Sequence, residues 1–103
     1  MTEQEFRLQA DRALEGVQKA LLPLADQEGF EVELQIGVLQ VIFEDPSPAK
    51  FVVSPNAPVR QVWLSALSRS YKLAWSDDAS AFALDGETLA SLVERLARLH
   101  LSA

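Results

Sequence analysis

Asp26, Glu28, Glu31 and Glu33 place four carboxylates within eight residues of a chain of 103 that has no cysteine and one histidine. Oxygen donors without thiolate or clustered imidazole favour hard cations; Fe(II) is tolerated, and soft metals find little to hold. A site of this kind is open and water-filled, and it binds with a dissociation constant on the order of 10⁻⁶ to 10⁻⁴ M, by analogy with weak carboxylate calcium sites. Such affinity suits transfer better than storage. The same acids also read simply as the solvated side of a half-buried strand. His100 lies in the last helical turn with no partner apparent in sequence and is expected at the surface. Without cysteine, and with that one histidine, no nucleophile–base pair can be assembled. "ALDGET" lacks the glycine spacing and the lysine of a phosphate loop, so an independent enzyme is not expected.

The second feature is "RQVWLS", residues 60 to 65. Read as a strand, it sets Val62 and Leu64 on one face and Gln61, Trp63 and Ser65 on the other. If the aliphatic pair faces the core, Trp63 stands in water among polar neighbours and becomes an anchor for a partner. If the polarity is reversed, Trp63 is buried. Alternation alone leaves both open.

The elements that position these residues follow from periodicity. A capping box formed by Thr2 and Glu5 opens a helix from about Glu3, with Phe6, Ala10, Ala13, Leu14, Val17 and Leu21 as its apolar stripe. Pro23 disfavours helical geometry at the residue before it, so the helix is expected to end at Leu22. Leu8 falls nearly opposite the stripe. The period then changes to two: Phe30, Val32, Leu34 and Ile36 alternate with Glu31, Glu33 and Gln35, and a break at Ile36–Gly37 makes a hairpin with "VLQVIFE". "DPSPA" is a loop because of its prolines. "KFVVS", "RQVWLSA", "YKLAW" and "AFALD" complete about six strands, with Trp75 packing on the sheet. A closing helix runs from about Glu87 to Leu101, with Asp85 as N-cap and Leu89, Leu92, Val93 and Leu96 buried. The class is α+β, a two-layer sandwich: two terminal helices on one face of an antiparallel sheet, in one domain spanning 1–103.

Charge narrows the partners. Ten of the fifteen acidic residues and only three of the nine basic ones fall in the first 45 positions, and the net charge is −6. Nucleic acid is not an expected partner, because phosphate contacts need basic clusters. Cations or basic protein surfaces are. No apolar stretch approaches the roughly 18 residues of a membrane span, and the acidic opening does not read as a signal peptide, so a cytoplasmic protein without membrane contact is expected.

The opening "EFRLQAD", the hairpin "GVLQVIFE", the segment N-x-P-x-x-Q-V-W-L-S from Asn56 to Ser65, the aromatic strand from Tyr71, and "DGETLASLVERL" occur in an order and spacing that resembles the frataxin family, in particular its bacterial CyaY-type branch. The resemblance covers nearly the whole chain. It implies an α-β sandwich that works in iron–sulfur cluster assembly, with weak Fe(II)/Fe(III) binding on an acidic ridge of the first helix and strand, and docking on the cysteine desulfurase and the scaffold protein. On that pattern Asp26, Glu28, Glu31 and Glu33 are the metal residues. Trp63, flanked by Asn56 and Gln61, is the docking anchor on the exposed sheet face. A monomer without an organic cofactor is expected. The resemblance leaves two rivals, a metal-independent interaction module and a ferroxidase. Two departures stand out: the last turns of helix 1, where the family carries acids, read "VQKALLP", and Ser80 stands where the family often has tryptophan.

Overall fold

The computed structural model describes all residues 1–103. Helix α1, Glu3–Glu28, is followed by strands β1 Glu31–Gln35, β2 Val38–Phe43, β3 Ala49–Asn56, β4 Gln61–Ala66, β5 Arg69–Ser76, β6 Ala81–Leu84 and β7 Glu87–Thr88, then helix α2, Leu89–Leu101. The seven strands form one antiparallel sheet in the order of the chain. Its inner face contributes Leu39, Val41, Phe43, Phe51, Val53, Val62, Leu64, Leu73 and Phe82 to a core shared with the helical stripes. The outer face is left to solvent. No helix is long and apolar enough to cross a membrane.

Helix α1 opens on the expected capping box: Glu5 N–H donates to Thr2 Oγ1 at 3.0 Å, and Thr2 N–H donates to Glu5 Oε1 at 3.2 Å. It does not end at Leu22. The chain stays helical through Pro23 to Glu28, and the true stop is Gly29, whose positive φ of 78° lets its N–H bond the Ala25 carbonyl at 2.8 Å. An interior proline costs about 3 kcal/mol. Against this, Leu24 and Phe30 bury beyond it, at about 1.5 to 3 kcal/mol each. Pro23 and Lys19 also face solvent, so water can satisfy the carbonyl that the ring leaves unpaired.

Gly16 faces solvent in the same helix, and a Cβ there meets nothing within 4 Å. Gly16→Ala should therefore raise stability by about 0.5 to 1 kcal/mol and the melting temperature by a few degrees, as read by thermal unfolding.

Three further expectations need correction. Ile36 does not extend the inward alternation of β1; it sits in the hairpin turn, 103% exposed. Asp85 is not the cap of α2, because Asp85 and Gly86 both take positive φ (51° and 81°) and make a two-residue hairpin turn that adds β7 as a seventh strand. Thr88 is the cap, accepting from Ser91 N–H at 3.4 Å. Arg60 likewise lies outside β4, with φ 53°, closing the 3-10 turn Ala57–Val59.

His100 departs furthest from its surface assignment. It is 6% exposed, its ring 4.7 Å from that of Phe43, and its Nε2 lies 3.0 Å from the Ser47 carbonyl oxygen. It continues the α2 stripe four residues beyond Leu96 and ties the end of that helix to the loop between β2 and β3. On the same helix Arg95 forks onto Glu87 at 2.8 and 2.9 Å. These hydrogen bonds hold the Glu87 carboxyl below its ordinary range, fastening β7 to α2. Trp75 packs edge-on against Phe82 at 5.3 Å, as expected of a sheet-packing residue.

Candidate docking face and acidic edge

Trp63 points outward. Its strand alternates as the aliphatic pair requires: Val62 and Leu64 are buried, while Trp63 is 38% exposed. Two contacts hold the indole. Its Nε1–H donates to Gln61 Oε1 at 2.9 Å, and the Lys72 ammonium sits 4.9 Å from the ring centroid in a cation–π contact. Fixed rotamers on a rigid strand lower the entropy lost on association, which is what an anchor residue needs.

Register assembles the rest of the face. Trp63 lies opposite Ser54 on β3 and Lys72 on β5; Gln61 lies opposite Asn56 and Ala74; Ser65 lies opposite Val52 and Ser70. Asn56, Gln61 and Trp63 are thus brought together, as expected. Beside the indole, Val52, Ser54, Trp63, Ser65, Ser70 and Lys72 surround a depression of about 200 Å³. Lys72 and Val52 were not singled out in the sequence. A two-residue turn at Leu67–Ser68, both with positive φ, fixes Trp63 against Lys72, and recognising that turn would have found the lysine.

The four acids are not brought together. Glu31 and Glu33 are exposed on β1, opposite Ile42 and Gln40, and Gln40 in turn lies opposite Val52. They therefore share the outer face with Trp63, with Glu33 three strand spacings, or about 14 Å, from β4. Asp26 and Glu28 are exposed in the last turn of α1, in the helical layer. No group of three or more acidic or histidine side chains stands close enough to hold a metal ion. The crowding of four acids at one edge is thus corrected: the helix continues past Pro23 and carries two of them in a different layer from the strand pair.

Leu8 and Leu22 are both exposed. Fourteen residues of helix separate them by about 21 Å, with Asp11, Glu15 and Lys19 on the exposed surface between. They form no common patch.

Two helices on one face of an antiparallel meander, with an indole exposed on the other, define a two-layer α-β sandwich with one open sheet face. The model of the frataxin-like domain matches residues 1–103, and the chain belongs to the frataxin-like family. A protein of Pseudomonas fluorescens, named iron-sulfur cluster assembly protein CyaY, is 35% identical over 84% of this chain and 77% of its own length. A protein of the same name from a Janthinobacterium species is 34% identical over 69% of this chain, a match that spans 64% of that protein. The structure of the frataxin of Psychromonas ingrahamii has the same fold, with a TM-score of 0.72 at 18% identity over 100% of this chain and 92% of the other.

Proposed function

We propose that this chain is an accessory protein of iron–sulfur cluster assembly that docks on the cysteine desulfurase–scaffold complex through its outer sheet face and modulates sulfur transfer. The carrying observation is the outward Trp63, held by Gln61 and Lys72 beside a depression edged by Ser54, Ser65 and Ser70. The relatives named for iron–sulfur cluster assembly support the process in which it acts. Fe(II) is a weakly held cargo in this reading, with Glu31 and Glu33 as the residues nearest the docking face and Asp26 and Glu28 as a separate, looser pair.

The dispersal of the acids favours a second reading, a metal-independent docking module. Charge reversal separates the two. Glu31→Lys with Glu33→Lys is expected to weaken binding to the desulfurase complex, measured by calorimetry with and without Fe(II). Loss confined to the iron-loaded protein supports carriage. Equal loss in both states supports a plain ionic contact with a basic partner surface, and no loss in either removes the acidic edge from the interface. A ferroxidase needs two irons held close by acids, and the observed placement of the carboxylates gives it no support.

A further inference from the structure

The depression beside Trp63 has unspent polar groups around an apolar wall. Lys72 takes part in none of the three ion pairs of the protein, which join Arg7 to Glu3, Arg95 to Glu87 and Arg98 to Glu94. Its ammonium is held over the indole instead. Ser65 and Ser70 lie directly opposite one another across β4 and β5, and Ser54 adjoins Trp63 from β3. None of these three hydroxyls makes a hydrogen bond within the protein, whereas those of Ser76, Ser80 and Ser102 do. Val52 and the indole supply the apolar surface.

A cation and three hydroxyl donors around a space of about 200 Å³ match a group that carries negative charge and accepts several hydrogen bonds. The setting on a docking face makes that group part of a protein surface. We propose that this depression receives a carboxylate side chain of the docking partner, with Lys72 as its counter-ion, Ser54, Ser65 and Ser70 as donors, and Val52 and Trp63 covering its methylene stem. The proposal rests on the docking reading above and deepens it. It gives the face a polarity: Lys72 on β5 seeks an acid, while Glu31 and Glu33 on β1, four strand spacings or about 19 Å away across the same face, seek a base. Two opposite charges at that spacing fix the orientation of a partner, which one hydrophobic anchor alone cannot do.

Calorimetric titration of the desulfurase–scaffold complex with the full chain and its Lys72→Met, Lys72→Glu, Lys72→Arg and Trp63→Ala variants tests this, with amide spectra confirming that each variant is folded. Lys72→Met keeps the stem over the indole and is expected to bind about tenfold more weakly with a shallower salt dependence, Lys72→Glu more weakly still, and Lys72→Arg close to the parent. If Trp63→Ala weakens binding while the Lys72 variants do not, docking stands and the carboxylate pocket falls. Equal weakening by Lys72→Met and Lys72→Glu, with the salt dependence unchanged, assigns Lys72 to packing and overturns the proposal. If Trp63→Ala also binds normally, the docking reading itself fails. A dimer of the free chain in sedimentation equilibrium that Lys72→Glu dissolves would put a second copy in the pocket and overturn it as well.

Discussion

Trp63→Ala is expected to weaken binding to the cysteine desulfurase–scaffold complex by about 30-fold to 1000-fold, corresponding to roughly 2 to 4 kcal/mol for an indole at the centre of an interface. The magnitude follows from its position. The ring lies on the outer face between Gln61 and Lys72, so truncation would remove the main contact of the proposed docking face and would free both flanking side chains. The fold should persist, because the buried side chains of β4 are Val62, Leu64 and Ala66, which face the other way. Calorimetry gives the affinity, and an amide spectrum that changes only near β3, β4 and β5 confirms the fold. An affinity within twofold of the parent would remove Trp63 from the interface.

Phe43→Ala should be the most destabilising of the substitutions considered. The ring is 2% exposed and lies 4.6 Å from Phe30, 5.1 Å from Phe51 and 4.7 Å from His100. It joins the residue just before β1, the first half of β3 and the last turn of α2. Deleting it removes transfer energy and leaves a cavity with rigid walls, at a cost of about 3 to 5 kcal/mol. Against a total stability of about 5 to 15 kcal/mol this is a large fraction. A fall in melting temperature of about 12 °C or more is the expected result for a domain of this size, by calorimetric scanning. A loss below about 1 kcal/mol in urea unfolding would show that the site collapses freely and that the aromatic group does not hold the two layers together.

The strands were readable because alternation is a local signal and one face of the sheet is dry: Val62 and Leu64 identify the inner side without any knowledge of the partners. The orientation of Trp63 needed the family resemblance as well, since alternation alone admitted both polarities. What escaped the sequence was set by tertiary balance or by turn chemistry. Pro23 argues locally for a stop, yet burial beyond it carries α1 to Glu28, and with it Asp26 and Glu28 away from Glu31 and Glu33. His100 was judged by its type and terminal position, although its spacing from Leu96 and Ala97 places it on the buried stripe. Asp85–Gly86 carries an N-cap signal and a hairpin signal at once, and the positive φ of both residues decides for the hairpin. Lys72 required a register, and register depends on the turn at Leu67–Ser68.

These placements change the candidate site more than the fold. An acidic cluster becomes two separated pairs, and the pair on β1 joins the tryptophan on a single surface. The acidic edge, the indole and Lys72 therefore lie on one continuous sheet face.

The central claim is that the outer sheet face is the docking surface. Amide chemical-shift mapping of the isotope-labelled chain with unlabelled cysteine desulfurase tests it most directly. The account predicts a contiguous set of perturbed residues on β3, β4 and β5 around Ser54, Gln61, Trp63 and Lys72, extending to Glu31 and Glu33 on β1, with the exposed surface of α2 unaffected. Perturbations confined to the helical layer, or none at saturating desulfurase, would contradict it.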